Sequence, residues 1–359
     1  MFEGSYIIPR PKYTDSVVSF IFLMVAPLLC TSCSYYSDRN PVLPSFSKVW
    51  ELELKDSIDL ESLDILNPTA VYYRKGFLVF TSSTGKQELQ FLNLEDGKVF
   101  TKSIVGEGPD EVMFYEAIRN SSSAKFHLLD YNLGKVLEID LDSLRNDPSV
   151  SPHLHLSLKE SLFNGFENEN YMYFNGMFEQ GRFMCYDKKT KQVAFYGLYP
   201  EREETESLSP MLKGIVYNGT FMTGNDKYFV SAYSGLIDFH EILSNGALKI
   251  RKSHHYSFPH FTVNNGTSLT LAFSKKDKAG FINIDSDDEK VYLLYSDKTS
   301  KEYGQDAFNC PYLMTYDWDG NPLCEYHLEK SLRALAVNGK TVYGLNREKE
   351  AIIYIYELP

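Results

Sequence analysis

The chain has 359 residues, 43% hydrophobic and 23% charged, which excludes a disordered or coiled-coil protein and leaves room for a large core. Its formal net charge of −12 argues against a nucleic-acid ligand, because phosphate binding needs a basic stripe; cations, basic proteins and neutral ligands such as glycans remain open. Aromatic residues make up 14%, with 26 Tyr and 24 Phe, a richness that suits packed sheet faces.

Residues 1–33 read as a targeting segment. Arg10 and Lys12 give a positive start, residues 17–29 are apolar-rich, and Cys30-Thr31-Ser32-Cys33 follows. Thirteen such residues fall short of the roughly 20 that span a bilayer. A small residue just before a cysteine resembles a bacterial lipobox. That resemblance implies that Cys33 becomes the lipid-bearing first residue of the mature protein, in the cell envelope on its periplasmic or cell-surface side. Cys30 stands where such motifs have Leu, so a cleaved secretory signal or a retained anchor stays open. Residues 34–46, with Pro41 and Pro44, read as a tether.

From residue 47 to 359 the pattern is one β domain. A two-strand hairpin recurs six times: 77–82 with 89–94, 125–130 with 136–141, 171–175 with 182–187, 227–233 with 237–243, 290–297 with 312–318, and 340–346 with 351–358. Short turns rich in Gly, Asn and Asp punctuate them, as at Glu95-Asp96-Gly97 and Ser244-Asn245-Gly246. Each hairpin supplies the two middle strands of a four-stranded blade. Inner strands are expected at 69–73, 117–120, 163–167, 214–220, 280–285 and 334–337. Outer strands are expected at 98–104, 150–158, 192–197, 247–256 and 323–328. The sixth copy lacks an outer strand, and the alternating segment 48–54 is expected to supply it. The fold class is therefore all-β, a six-bladed β-propeller whose last blade is closed by the N-terminal strand. The hairpins start roughly 45 to 63 residues apart, slightly long for a propeller repeat. A two-sheet sandwich or a pair of β domains is the alternative.

Three cysteines remain after Cys33. Cys310 and Cys324 flank a hairpin but are offset across it, so buried thiols, Cys185 included, are favoured over a disulfide.

Ser103-Ile-Val-Gly-Glu-Gly-Pro-Asp-Glu-Val112 lies between the first outer strand and the second inner strand. It resembles the G-x-G-P-x-E loop of TolB-like six-bladed propeller proteins, many of them lipoproteins, and is also similar to the inter-blade loop of NHL-repeat propellers. The resemblance implies a fold and an envelope location, and no established reaction. In the loop itself, Gly106 and Gly108 are expected to adopt backbone angles closed to other residues. Glu107, Asp110 and Glu111 either present acid at a channel mouth or simply make the crossing. On the same face, the insertion 298–310 carries Tyr303, Gln305, Asp306 and Phe308, which suit a polar ligand.

Metal and nucleophile motifs are weak. There is no Cys-x-x-Cys pair and no Gly-x-Ser-x-Gly elbow. His153-x-His155 and the group His254, His255 and His260 lack local partners for a third ligand. The run 285–289 reads as a solvated turn. The function expected is a lipid-anchored binding or scaffolding module for a protein or glycan partner, without cofactor. The alternative is a calcium-dependent hydrolase similar to the six-bladed lactonases, with Asn120, Asn218, Asp285 and Asn338 near the channel as its ion ligands. A structural subunit of an envelope complex is a third reading.

Overall fold

Alternating apolar residues organise the chain from its first resolved strand. A computed structural model describes residues 45–82, 88–120, 124–200, 202–265, 269–347 and 351–359. The expected signal segment with Cys33, and nearly all of the tether, lie outside the described residues.

Strands β1 (Val49–Leu52) and β2 (Asp56–Asp59) come first, followed by a short helical turn, Glu61–Leu63. The first full sheet is β3 (Ala70–Arg74), β4 (Phe77–Thr81), β5 (Glu88–Asn93) and β6 (Val99–Ser103). The second is β7 (Tyr115–Asn120), β8 (Lys125–Asp130), β9 (Lys135–Asp140) and β10 (His153–Ser157), with helix α1 (Leu141–Asn146) between its last two strands. The third is β11 (Leu162–Glu167), β12 (Tyr171–Gly176), β13 (Phe183–Asp187) and β14 (Val193–Tyr196). Its inner strand touches β7 in parallel, so the second and third groups merge edge to edge. Helices α2 (Glu203–Glu206) and α3 (Pro210–Val216) precede the fourth sheet, β15 (Phe221–Gly224), β16 (Tyr228–Tyr233), β17 (Gly235–Ile242) and β18 (Leu248–Ser257). A separate hairpin, β19 (Phe261–Asn265) and β20 (Leu269–Phe273), follows.

The fifth sheet is β21 (Lys278–Ser286), β22 (Lys290–Thr299), β23 (Cys310–Asp317) and β24 (Pro322–Leu332), with helix α4 (Ser300–Tyr303) and a 3-10 turn, Gly304–Phe308, inserted before β23. The last strands are β25 (Ala334–Asn338), β26 (Thr341–Asn346) and β27 (Ile352–Glu357). The result is an all-β, propeller-like fold.

Three sequence expectations need correcting. The strand expected to complete the last sheet, 48–54, does not do so. Its core β1 runs parallel to β24 as a fifth strand of the preceding sheet, with Val49 opposite Glu325 and Leu52 opposite Leu328. The strand paired antiparallel to β27 is β2, with Ile58 opposite Ile353. With a single apolar residue in four, β2 leaves almost no periodic signal, whereas the 48–54 segment alternates clearly. Second, the inner strand expected at 214–220 falls on the end of α3 and the turn that follows it. Ser209 caps that helix by accepting from the Leu212 amide, and Pro210 pre-sets its first turn; the strand begins later, at Phe221. Third, the β19–β20 hairpin was not anticipated.

The core is a series of clusters between consecutive sheets. On β4, Phe77 and Val79 face the second sheet with Phe91, Phe126, Leu128 and Ile139. Leu78 and Phe80 of the same strand point the other way, against Leu345 and Ile353 of the last sheet. The period of two thus sends one strand's side chains into two cores, each fully buried side chain contributing about 1.5–3 kcal/mol. Similar clusters separate the second and third sheets, the third and fourth, the fourth and fifth, and the fifth and last. Cys185, Cys310 and Cys324 are buried free thiols within them, and burial pushes the Cys185 thiol up to about 12.

Candidate functional site

The inner strands enclose a central cavity of about 240 Å³. Tyr72 of β3, Glu116 and Arg119 of β7, Asn164 of β11, Phe221 and Met222 of β15, and Ile282 and Asn283 of β21 form its wall. Phe308, Arg333 and Arg347 complete it. Strands β3, β7, β11, β15 and β21 therefore send residues to one space, joined by Arg333 just before β25 and Arg347 just after β26.

Arg119 spans that space. Its Nη2 donates to Asn283 Oδ1 at 3.0 Å, its Nη1 lies 3.5 Å from Asp285 Oδ1, and its guanidinium carbon sits 5.0 Å over the Tyr72 ring. Both acceptors are themselves fixed by β25, since Leu335 N donates to Asn283 Oδ1 and Val337 N to Asp285 Oδ2. Burial pushes the Glu116 carboxyl up, partly offset by the charge of Arg119. At the mouth, Arg333 Nε donates to Asn309 Oδ1 at 2.7 Å and its Nη2 to the Gln305 carbonyl at 2.8 Å. Arg347 has no hydrogen-bond or ion-pair partner among the described residues. Burial, and then the charge of Arg333, pull its guanidinium below the usual range. Two cations facing one another with one uncommitted make a ready acceptor for an anion.

The 298–310 insertion is an ordered wall of this cavity. Thr299 caps α4 by accepting from the Glu302 amide, Ala307 is buried, and Arg333 ties the following turn down. Phe308 faces the cavity. Gln305 is exposed, and Tyr303 is exposed with Lys298 Nζ 5.7 Å from its ring centre. Asp306 Oδ1 accepts from Asn309 Nδ2 at 3.3 Å.

The acidic Gly-rich loop lies outside the cavity lining. Glu111 Oε2 accepts from the Gly108 amide at 2.7 Å, Asp110 Oδ1 accepts from the Leu154 amide at 2.7 Å, and Lys135 Nζ donates to the Gly108 carbonyl at 2.8 Å. Two of its three acids thus brace the crossing into the second sheet, and Glu107 stands exposed. The expected reason for its glycines needs revision: neither Gly106 nor Gly108 has a positive φ. A Cβ on Gly106 would fall 2.0 Å from Glu111 Oε2, so space for the carboxylate is the requirement.

The residues offered as calcium ligands occupy different settings. Asp285 is buried, not part of a solvated turn, and its charge partner is Arg119. Asn338 is exposed at the end of β25, and Asn218 sits between α3 and β15 with its carbonyl accepting from Asn175 Nδ2. Asn120 ends β7, in register with Glu167. The turn beside Asp285 is closed by Asp287, which accepts from the Glu289 and Lys290 amides and from the Tyr292 hydroxyl.

A second polar centre lies between the second and third sheets. His127 of β8 sits between two carboxylates, Nδ1 at 2.6 Å from Glu167 Oε1 and Nε2 at 3.0 Å from Glu138 Oε2. Both partners are acceptors, so both ring nitrogens donate and the ring is cationic. Burial pulls its pKa down, but the hydrogen bonds and charges of Glu138 and Glu167 outweigh that and raise it. The His127 hydrogen bond, with Lys125, holds Glu138 at about 2 against burial. Glu167 is also held at about 2, burial being outweighed by His127 and Lys188. His155 Nδ1 approaches Glu138 Oε2 at 3.2 Å. The sequence singles out His153 and His155 only to set them aside for want of local partners, and His127, Glu138 and Glu167 go unnoticed. The signal was a histidine and a glutamate embedded in the apolar strands Lys-Phe-His-Leu-Leu-Asp and Lys-Val-Leu-Glu-Ile-Asp, where a polar side chain needs a buried partner. The other histidines do not form a cluster: His254 bonds the Gly320 carbonyl, His255 Asp238, and His260 Asp277.

No curated protein matches the chain. Among solved structures, a putative exported protein from Bacteroides fragilis NCTC 9343 aligns at 11% identity over 86% of this chain and 94% of its own, with a TM-score of 0.52. The β-propeller domain of Myceliophteria thermophila Cps50 (Swd1) aligns at 12% identity over 86% and 100%, with a TM-score of 0.46. Kuenenia stuttgartiensis hydrazine synthase aligns at 10% identity over 81% and 95%, with a TM-score of 0.45. A family model described as TolB-like 6-blade propeller-like matches residues 65–340. With repeated four-stranded sheets around a central cavity and a family match over most of its length, the chain belongs to the TolB-like 6-blade propeller-like family.

Proposed function

We propose that the chain is a six-bladed propeller, its last blade completed by β2, and that it binds the acidic end of a glycan in its central cavity. Arg347, which has no hydrogen-bond or ion-pair partner among the described residues and lines the cavity with Arg333, is the observation that carries the reading. Arg119 is paired with the buried Asp285, which leaves Glu116 as the acidic residue of the lining against Arg333 and Arg347, so the space favours an anion despite the chain's net charge of −12. Tyr72, Phe221 and Phe308 offer ring faces, and Asn164 and Asn283 offer amide groups, a combination suited to a sugar ring bearing a carboxylate. The volume of about 240 Å³ lies below the roughly 300–1,000 Å³ of sites that enclose a drug-sized ligand, so the cavity takes a chain end.

Such a module is placed in the cell envelope by lipid on Cys33, at its periplasmic or cell-surface side, and needs no cofactor of its own. The likeness to a protein described as a putative exported protein from Bacteroides fragilis NCTC 9343 is in keeping with that location. Calorimetric titration with uronic-acid oligosaccharides, neutral oligosaccharides and acidic peptides tests the reading. Binding of the uronic-acid series, weakened at least tenfold by Arg347→Ala, is expected. Equal heats for neutral sugars, or unchanged affinity in Arg347→Ala, would sink it, and preference for the peptides would move the function to a protein partner.

A further inference from the structure

We infer that His127, Glu138 and His155 form a binding site for a divalent transition metal of the zinc class, separate from the central cavity. One ligand atom from each residue lies within 4.8 Å of the other two. Glu138 Oε2 is the shared vertex, 3.0 Å from His127 Nε2 and 3.2 Å from His155 Nδ1. Ligands at about 2.0–2.2 Å in tetrahedral geometry are about 3.3 Å apart, so these spacings are already close to those a metal requires. Two imidazoles and a carboxylate suit zinc or its neighbours rather than calcium, which takes oxygen ligands.

The supporting groups are arranged as a metal site needs them. His127 uses Nδ1 on the buried Glu167, which orients the ring with Nε2 toward the vertex. Glu167 is in turn held by Lys188 at 2.9 Å. Lys125 takes the other oxygen of Glu138, Oε1, at 2.8 Å and leaves Oε2 to the histidines. Binding replaces the Nε2 proton of His127, which leaves to solvent.

The strand register explains how a sheet assembles the three. His127 on β8 is opposite Glu138 on β9, and Glu138 is opposite His153 on β10. In a regular strand His153 would face the vertex and His155 would stand opposite Val136, one pair further along. A bulge between Leu154 and Leu156 breaks the register and turns His155 in, 4.8 Å ring to ring from His127. His153 stays close, with Nε2 3.9 Å from Glu138 Oε1, where it or water completes the coordination. His155 and His153 are exposed on the outer strand, so an ion reaches the site from solvent.

The test is calorimetric titration of the chelator-treated full chain with zinc chloride, with cobalt(II) absorption as an independent readout. One zinc per chain is expected, with visible cobalt bands of a low-coordinate site. His155→Ala lies at the solvent-facing edge and should keep the fold, checked by circular dichroism, while weakening zinc at least tenfold. Glu138→Gln should do the same without change of shape, and His260→Ala, remote from the cluster, should bind as the parent does. No saturable zinc binding by the parent, or equal binding by folded His155→Ala, overturns the inference.

Discussion

At the scale of single residues, a buried charge is the group hurt most by losing its partner. Arg182 and Asp238 are each about 3% exposed and meet at 2.5 Å. The arginine also lies over the rings of Phe183 and Tyr217, and the aspartate accepts from His255. Arg182 Nε and Nη2 have no hydrogen-bond partner among the described residues, so Asp238 supplies nearly all of its compensation. Burial opposes ionisation of Asp238, but the charge of Arg182 and the bonds from His255 and Ser253 hold its carboxyl far below the usual range. Asp238→Asn leaves a cation buried without a counter-charge and should cost about 3–5 kcal/mol. Urea denaturation checks it, and a loss under about 1 kcal/mol would show that solvent reaches the pair. Neither residue stood out in the sequence. They are 56 positions apart, and only the third and fourth sheets packing together brings them into contact.

At the scale of elements, most strands were legible and most departures from regularity were not. The hairpins announced themselves by alternation and by turns such as Glu95-Asp96-Gly97, where Gly97 has φ +72°. The helix at Pro210–Val216 was signalled by Ser209-Pro210 and overlooked because the rhythm of the repeat called for a strand. The bulge at Leu154/Leu156 has no sequence mark, being fixed by the partner strand. A further irregularity sits at Gly280, with φ +74°, where the chain passes so close to the fourth sheet that the Phe281 amide donates to the Ser234 carbonyl at 2.6 Å. An added Cβ would lie 2.3 Å from that carbonyl oxygen. Gly280→Ala should therefore lose more than the roughly 1–2 kcal/mol of the left-handed conformation alone. A thermal melt within a degree of the parent would mean that the two sheets can separate there without cost.

For the whole molecule, the architecture was readable because every sheet repeats the same apolar alternation. The cavity was not, because Tyr72, Glu116, Arg119, Asn164, Asn283, Arg333 and Arg347 come from distant parts of the chain and share no spacing. The joining of the chain's two ends was half readable. The need for a strand from the N-terminal side was clear from the sixth hairpin, but the strand chosen was one too early. The distinction has a measurable consequence. A chain starting at residue 53 loses β1 and the buried Leu52, whereas one starting at residue 61 also loses β2 with Ile58 and the fully buried Leu60. The second truncation should cost about 2–4 kcal/mol more than the first, most of it from the fully buried Leu60 and less from the half-buried Ile58, and should aggregate through the bared edge of β27. Equal stability of the two would show that β2 does not hold the ends together.

The order of β1 and β2 also bears on how the molecule carries load. Whatever pulls on the segment before Val49 reaches β1 first, and β1 is hydrogen-bonded to β24 of the fifth sheet rather than to the last. Only after that strand peels away does tension arrive at β2 and its pairing with β27. The parallel strand therefore stands first in line for any pull from the N-terminal side. It can yield under a tug from the N-terminal side, lengthening the connection by a few residues, while the sheet that joins the two ends of the chain stays shut.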